Sequence, residues 1–267
     1  MIHNLIKDKS ARLFVVLGGF FIANALIAEI IGVKIFSLEK TLGFDPFSFS
    51  LLGENGLGFS LTAGVLLWPV VFIMTDIINE YYGPKGVRLL SYLTVGLIAY
   101  AFIAFVSAIA LTPPDWWNGS NEDVPDLQNS YKAVLGQSNW IIIGSLIAFL
   151  IGQIIDVMAF HRIKKATGEK KIWLRATGST MISQLIDSYI VLLVAFYIGA
   201  DWSIQKVLAI GTVNYIYKFL MAVVLTPVIY LVHGIIEKYL GRELAAKMKR
   251  SAMEKQNDEF ENIPAAG

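Results

Sequence analysis

Residues 68–83 read WPVVFIMTDIINEYYG, and this stretch sets the class of fold. Most of its residues are apolar enough for a membrane, yet it also contains Asp76, Asn79 and Glu80. A charged side chain in the hydrocarbon of a bilayer costs about 3 kcal/mol on insertion scales, so it is rarely kept without a use. Such side chains usually face the interior of a helix bundle, where they pair or bind something.

The composition extends this pattern to the whole chain. Of its 267 residues, 55% are hydrophobic and 16% are charged, whereas soluble domains carry about 25% charged residues. Cys is absent and there are three His, so the sequence predicts no disulfide, no metal site and no cofactor. It also lacks the G-x-x-x-x-G-K-[ST] loop through which many ATPases bind nucleotide. We therefore expect an all-α integral membrane protein that is not an enzyme and has no nucleic-acid partner.

Six apolar stretches reach the length of about 20 residues that a membrane-spanning helix needs. They cover residues 13–36, 60–81, 87–111, 140–161, 176–200 and 204–236. Lys and Arg favour the cytoplasmic side of a membrane, and they concentrate at both ends of the chain and after the second and fourth stretches. The sequence therefore predicts one six-helix transmembrane domain, residues 1–240, with both termini cytoplasmic. Residues 241–267 are predicted to form a charged, disordered cytoplasmic tail.

Polar side chains recur at spacings of three or four residues on four of these spans, so each set shares one helix face. The sets on the second, fourth, fifth and sixth spans are Asp76, Asn79 and Glu80; Gln153 and Asp156; Gln184 and Asp187; and Asn214 and Lys218. Four helices that each present one polar face can line a common space. The sequence predicts such a central polar cavity near the middle of the membrane. Glu29, on the first span, belongs to no set and receives no role.

The residue types indicate what this cavity would bind. Carboxylates accept paired hydrogen bonds, and amide side chains both donate and accept them. Together in one dry pocket they suit a flat polar heterocycle with donors on one edge and acceptors on another. The candidate binding residues are Gln153, Asp156, Gln184, Asp187, Asn79, Lys218, Asn214 and, as a stacking surface, Trp68.

Asp76 and Glu80 lie nearer the cytoplasmic end of their span and are candidates for an inner gate or a proton relay. Purely structural explanations stay open for two groups. Lys218 with one of the Asp residues can be an internal ion pair that holds the bundle together. Asp76 and Glu80 can be a helix end that meets headgroups and water.

Three motifs on these polar faces resemble a known family. TDIINEYYG at 75–83, GQIID at 152–156 and SQLIDS at 183–188 are similar to motifs of the queuosine precursor transporter family, also called the vitamin uptake transporter family. The resemblance implies a six-helix protein of the bacterial inner membrane. It also implies import of a 7-deazaguanine, such as 7-cyano-7-deazaguanine or its aminomethyl relative. The functional positions it implies are Asp76, Asn79, Glu80, Gln153, Asp156, Gln184 and Asp187.

Three kinds of protein remain to be told apart. The first is a transporter for a small deazapurine that exposes a midplane site to each side of the bilayer in turn. The second is a substrate-binding subunit of an ATP-driven vitamin importer. The third, an intramembrane aspartyl protease using Asp156 and Asp187, lacks the expected Gly-x-Gly-Asp context. The sequence leaves open whether the chain works as a homo-oligomer or with importer partner subunits.

Overall fold

A computed structural model describes residues 8–121, 123–167 and 172–261. In chain order its helices are α1 (Lys9–Ile31), α2 (Leu38–Thr41), α3 (Trp68–Ile109), α4 (Asp115–Asn118), α5 (Leu127–Leu135), α6 (Asn139–Thr167), α7 (Ile172–Leu192), α8 (Ile204–Val224), α9 (Thr226–Leu240) and α10 (Arg242–Glu261). Short 3₁₀ and π-helical segments, Ala63–Leu66 and Leu193–Ile198, precede α3 and follow α7. The cations Lys7, Lys170 and Lys171 and residues 262–267 of the predicted tail lie outside the described residues.

Five helical stretches in the described part of the chain are long and apolar enough to cross a membrane. They are Lys9–Ile31, Trp68–Ile109, Leu127–Thr167, Trp173–Ile198 and Ile204–Val224. A predominantly helical membrane fold is therefore confirmed. The count differs from the six predicted spans because most of the second and third, residues 60–81 and 87–111, lies in the single run of α3.

That run is not one straight helix. At Gly83 the backbone has φ 73° and ψ −175°, values that no α-helix contains and that glycine adopts without steric cost. The following Pro84 has no N–H to continue the hydrogen-bond ladder. We call residues 68–82 the first leg of α3 and residues 84–109 its second leg. The first leg begins later than predicted, because Pro69 suits the first helical turn and Ser60–Thr62 is a strand.

The last predicted span, residues 204–236, is divided into two helices. α8 ends at Val224 and α9 begins at Thr226, with Pro227 in its first turn. A proline there disrupts the preceding helix, since its ring clashes with a carbonyl and it cannot donate a hydrogen bond. The hydroxyl oxygens of Thr226 and Thr177 are 3.0 Å apart, and this contact ties the break to α7.

Two antiparallel strand pairs fill the long connection between α1 and α3. Strands β1 (Ile35–Ser37) and β4 (Ser60–Thr62) form one pair, and β2 (Phe49–Leu51) and β3 (Glu54–Leu57) form the other. Strands β2 and β3 form a hairpin within this connection.

Glu39 holds this connection together from inside. Its Oε1 accepts a hydrogen bond from the Phe59 amide at 2.7 Å, and its Oε2 accepts one from the Ser37 hydroxyl at 2.8 Å. Burial alone would raise the pKa of this carboxyl group, but these hydrogen bonds outweigh it and leave the pKa below its ordinary value of 4.5.

The charged tail differs from the sequence prediction of disorder. Residues Arg242–Glu261 form α10, which packs against the first leg of α3. Ala245 and Ala252 are 2% exposed, and a side-chain carbon at Gly83 would come within 3.3 Å of the Ala252 carbonyl oxygen. Small residues on one face of a strongly charged helix therefore dock it against the Gly83 break.

The first leg of α3 lies at the centre of the packing. Its buried residues contact α1, α6, α9 and α10, and the shared core includes Val71, Met74, Ile77, Ile78, Tyr81, Leu17, Phe21, Phe149, Ile236 and Ala245. In a bilayer, close packing rather than exclusion of water holds helices together. α6 and α7 approach through small residues: an added carbon at Gly144 would lie 3.2 Å from the backbone of Val191 and Ala195.

Candidate functional site

The polar face of the first leg of α3 is entirely enclosed. Asp76, Asn79 and Glu80 are exposed by 2%, 0% and 1% respectively. The predicted spacing therefore places all three on one face, and this face is turned into the bundle. Because an unpaired charge is costly in such a place, their partners decide what each residue can do.

Glu80 is held by two cations. Lys164 of α6 donates to its Oε2 at 3.1 Å, and Arg175 of α7 donates to its Oε1 at 2.7 Å. We call Glu80, Lys164 and Arg175 the ion cluster. All three side chains are at most 2% exposed, so the cluster joins α3, α6 and α7 at the end where α6 finishes and α7 starts.

Sequence reasoning missed the two cations of this cluster. Lys164 and Arg175 follow the fourth span and precede the fifth, so they were counted with the loop charges that orient the chain. A signal was present in the spacing. Lys164 lies eight residues after Asp156, and Arg175 lies four residues before Ser179, so each continues the polar stripe of its own helix.

One turn before Glu80, Asp76 has hydroxyl partners instead of cations. The Ser179 hydroxyl donates to its Oδ1 and the Thr180 hydroxyl donates to its Oδ2, both at 3.2 Å. The carboxyl group of Asp156 lies beside that of Asp76 and accepts a hydrogen bond from the Ser183 hydroxyl at 3.0 Å. Two carboxyl groups from α3 and α6 thus meet against a row of hydroxyls on α7.

A second ion pair joins α7 to α8. Lys218 Nζ lies 2.5 Å from Asp187 Oδ2, and both side chains are 15% exposed. Gly152 of α6 packs on the Asp187 side chain, 3.7 Å from its Cβ when measured from an ideal glycine Cβ position. Asn214, one turn before Lys218, is partly buried. The pair predicted from the sequence is present, and it is less enclosed than the ion cluster.

Glu29 of α1 lies close to this second pair. It is 7% exposed, accepts a hydrogen bond from the Ser145 hydroxyl, and is near enough to Asp187 for the two charges to interact. Its backbone carbonyl also accepts from the Gln137 amide at 3.0 Å. The residue without an assigned role is therefore part of the contact between α1 and α6.

The two glutamines of the repeated Gln-x-x-Asp pattern are both incompletely paired. Gln153 accepts a hydrogen bond from the Thr75 hydroxyl through Oε1 at 3.0 Å, but its Nε2 has no hydrogen-bond partner in the described part of the chain. Gln184 Nε2 likewise has no partner among these residues. Buried amide nitrogens are rarely left unpaired in native proteins, so each is a place where a ligand can complete a hydrogen bond.

A narrow cleft with a cavity volume of about 20 Å³ lies between α3, α7, α8 and α9. Its polar lining consists of Asp76, Thr177, Thr180, Gln184 and Lys218. Its apolar lining includes Trp68, Phe72, Ile73, Leu225 and Ile229. A mostly apolar concave site with a few converging polar groups is the usual form of a small-molecule site.

The predicted site residues thus differ in their relation to the cleft. Those that line the cleft are Trp68, Asp76, Gln184 and Lys218. Asp187 is connected to the cleft through Lys218, and Asp156 through Asp76. Gln153 instead lines a second space between α3 and α6. Asn79 and Glu80 lie deeper, and Asn214 lies beside Lys218 on α8.

This arrangement can recognise a planar ligand with polar edges. Trp68 and Phe72 offer aromatic surfaces, Asp76 accepts hydrogen bonds, and Gln184 and Lys218 donate them. The described residues contain no group of three or more His, Asp or Glu side chains that could hold a metal ion.

Known proteins are similar to this chain over the same region. The model of a family described as "Putative vitamin uptake transporter" matches residues 62–232. The chain is 30% identical to the "Probable queuosine precursor transporter" of Bacillus subtilis (strain 168) over 178 residues, which are 65% of this chain and 72% of that protein.

Two further relatives are more distant. The chain is 24% identical to the "Queuosine precursor transporter" of Escherichia coli (strain K12), over 74% of this chain and 82% of that protein. It is also 24% identical to the "Probable queuosine precursor transporter" of Haemophilus influenzae, over 74% of this chain and 80% of that protein. No solved structure matches the chain. The family match includes every predicted site residue from Trp68 to Lys218.

Proposed function

The chain belongs to the vitamin uptake transporter family and is a multi-pass membrane protein with a transport role, and from this premise we propose that it imports a queuosine precursor. In bacteria such a protein lies in the inner membrane. The proposed cargo is a 7-deazaguanine, either 7-cyano-7-deazaguanine or its aminomethyl form. The names of its relatives support this class of cargo, and the cleft supports it independently.

We place six crossings in the bilayer. The Gly83 break supports counting the two legs of α3 separately, as the second and third crossings. The first crossing is α1, and α6, α7 and α8 with α9 supply the other three. Both termini then lie on the cytoplasmic side, together with Lys85 and Arg88, as the distribution of positive charge favours.

The observation that carries the proposed cargo is the cleft with its unpaired Gln184 amide. A 7-deazaguanine is flat, so one face of its ring can stack on Trp68. Its N1–H and 2-amino group are adjacent donors, and the Asp76 carboxylate in the cleft wall can accept both. Its O6 is an acceptor, which Gln184 Nε2 can satisfy. One ligand would thus complete the main hydrogen-bonding deficit of the cleft.

In this proposal the predicted residues that do not line the cleft hold the cleft residues in place. Asp156 and the hydroxyls of α7 orient the Asp76 carboxyl group. Asp187 fixes Lys218 at the opposite wall, and Asn214 extends the polar face of α8. Gln153 receives the Thr75 hydroxyl, one residue before Asp76, and so links the cleft to the space behind it.

The ion cluster is the proposed inner gate. It ties the first leg of α3 to α6 and α7, and all three members are enclosed. Opening the cleft toward the cytoplasm would require these helices to separate and the pairs to part. Asn79 and Asp76, on the same face of the leg, would move with Glu80. Binding of cargo at Asp76 and release of the gate at Glu80 would then occur on one rigid segment.

The decisive experiment is uptake by the purified chain in proteoliposomes without ATP. We expect accumulation of labelled 7-cyano-7-deazaguanine, whereas a subunit of an ATP-driven importer would bind the compound and move none of it. In cells that lack endogenous import, Asp187→Asn, Gln153→Ala and Lys218→Met should each reduce uptake. Normal uptake by all three variants would contradict a central polar site.

A further inference from the structure

A second space is lined by Gln153, which does not line the cleft. It is a groove between the second leg of α3 and α6, with a volume of about 370 Å³. We call it the lateral groove. It is lined by Val87, Arg88, Ser91, Tyr92, Leu150, Gln153, Ile154, Val157 and Met158.

The groove is open toward the membrane. Tyr92 and Ile154 form part of its lining and are 61% and 51% exposed. In a protein that lies in a bilayer, exposed apolar side chains on long helices face lipid. The groove can therefore take an occupant that enters from the side.

Two buried donors on the groove wall indicate the chemistry of that occupant. Ser91 and Gln153 are each 3% exposed, and Ser91 Oγ and Gln153 Nε2 have no hydrogen-bond partner in the described part of the chain. They belong to facing helices and are both donors. An acceptor placed between them, such as a carbonyl oxygen, would pair with both. A purely hydrocarbon occupant would leave both unpaired at a cost.

The positive charge of the groove is at one end. Arg88 is exposed and lies one helical turn before Ser91, about 4.5 Å along the axis at 1.5 Å per residue. Ile154 lies beside Gln153 on α6, Leu150 lies about one turn before it, and Val87, Val157 and Met158 supply further apolar lining. The groove therefore offers a cation at one end, hydrogen-bond donors about one turn from it, and apolar side chains beside the donors.

We propose that the lateral groove binds one glycerophospholipid from the leaflet on the Arg88 side. Its phosphate lies at Arg88, an ester carbonyl accepts hydrogen bonds from Ser91 and Gln153, and one acyl chain lies along Leu150 and Ile154. Phosphate, ester and chain follow one another in a phospholipid in the same order as the features of the groove. This inference needs only the membrane location of the chain and does not depend on which solute is transported.

The site has a structural consequence for the cleft. Gln153 accepts from Thr75 on one side and lines the groove on the other. A bound lipid carbonyl would hold its Nε2 while Thr75 holds its Oε1. The lipid is thus expected to fix the Gln153 side chain, whose partner Thr75 precedes Asp76 of the cleft wall.

The test is native mass spectrometry of the full chain released from a mild detergent, with counting of retained phospholipid. We expect one tightly retained phospholipid per wild-type chain. Ile154→Trp should abolish retention because the larger ring fills the groove from its exposed side. Ile147→Trp, at an exposed isoleucine two turns earlier on α6 and outside the groove lining, is the matched control and should retain the lipid. Equal retention by both Trp variants would overturn the proposal.

Two further arms define the ligand. Ser91→Ala removes one hydrogen bond and should weaken retention about three- to tenfold, and diacylglycerol without a phosphate should compete poorly with the phospholipid. Equal competition by diacylglycerol would contradict the phosphate position. Displacement by free 7-cyano-7-deazaguanine would also overturn the proposal, because it would assign the groove to the transport path. Unchanged elution and thermal unfolding of each variant verify that it is folded.

Discussion

Glu80 lies one helical turn after Asp76, which is part of the cleft wall. The ion cluster and the cleft nevertheless differ in whether their buried polar groups are paired. In the ion cluster both carboxylate oxygens of Glu80 are held by cations, at 3.1 Å and 2.7 Å. In the cleft, Gln184 keeps an unpaired amide nitrogen, and the Asp187–Lys218 pair is 15% exposed. Burial of charge is common to both regions. What separates a structural contact from a binding site is whether the protein itself completes the hydrogen bonds.

The variant with the largest expected effect on this contrast is Glu80→Gln. The variant keeps the shape of the side chain but removes the negative charge that Lys164 and Arg175 share in the buried cluster. Breaking a buried ion pair in this way costs about 3–5 kcal/mol of stability. We expect a corresponding loss in the free energy of unfolding, measured by denaturation in detergent. Glu243→Gln, at an exposed acid of α10, is the control. A loss no larger than that of the control would show that the cluster is not a structural lock.

The next test removes the proposed stacking surface with Trp68→Leu. Stacking of a base on an aromatic side chain is worth about 1–3 kcal/mol, or about 5- to 150-fold in affinity. The apparent affinity for the deazaguanine in proteoliposome uptake should fall by this factor, and the free energy of unfolding should fall as well, because Trp68 packs on Phe149 with ring centroids 5.6 Å apart. Trp116→Leu, at a 72% exposed tryptophan outside the cleft, should transport normally. Normal affinity in Trp68→Leu would remove Trp68 from the site.

Gln184→Leu tests the unpaired donor itself. Among the described residues the amide nitrogen has no partner to lose, so stability should stay the same or rise slightly. Binding should weaken by one neutral hydrogen bond, about 0.5–1.5 kcal/mol or about 3- to 10-fold. Isothermal titration against the deazaguanine measures the change, with Gln205→Leu on the exposed start of α8 as control. A clear loss of stability with unchanged affinity would reverse the contrast between cleft and cluster.

Glu39 extends the comparison to a carboxylate whose oxygens are paired with uncharged hydrogen-bond donors and not with cations. Its pKa is lower in the folded chain, because burial, which raises it, is outweighed by the hydrogen bonds from Phe59 and Ser37. Its stabilisation is therefore complete above the unfolded pKa and is lost as the pH falls through the folded one. Hydrogen-exchange protection of the Phe59 amide should decrease below about pH 4.5. Glu39→Gln should flatten this profile, and Asp45→Asn, at an exposed position, should leave it unchanged.

The sequence predicted the helical membrane fold and the faces of the polar residues well. Hydropathy located the long helices, and spacing placed Asp76, Asn79 and Glu80 on one buried face. It did not predict which carboxylate reaches the cleft. That depends on where α3 and the last span break, at Gly83 and Leu225, and on the rotation of each leg, which packing determines.

The ion cluster and the tail show a second reason for the differences. Lys164 and Arg175 resemble loop charges because each lies near a helix end, and only the fold shows that they turn inward. The tail was predicted from its charge to be disordered, but docking depends on a few small residues, such as Ala245 and Ala252, that composition obscures. In both cases the decisive information lies in three-dimensional neighbours far away in the chain.

The ion cluster also affects the order in which the helices assemble during synthesis. Lys164 and Arg175 follow Glu80 by 84 and 95 residues, so at about 5–20 residues per second they leave the ribosome roughly 4–20 s after it. During this interval the Glu80 carboxylate lacks both Lys164 and Arg175, because neither residue has been synthesised. The leg cannot reach its final position before α6 and the start of α7 exist. The order of assembly in the membrane is therefore set by two basic residues synthesised long after the helix they complete.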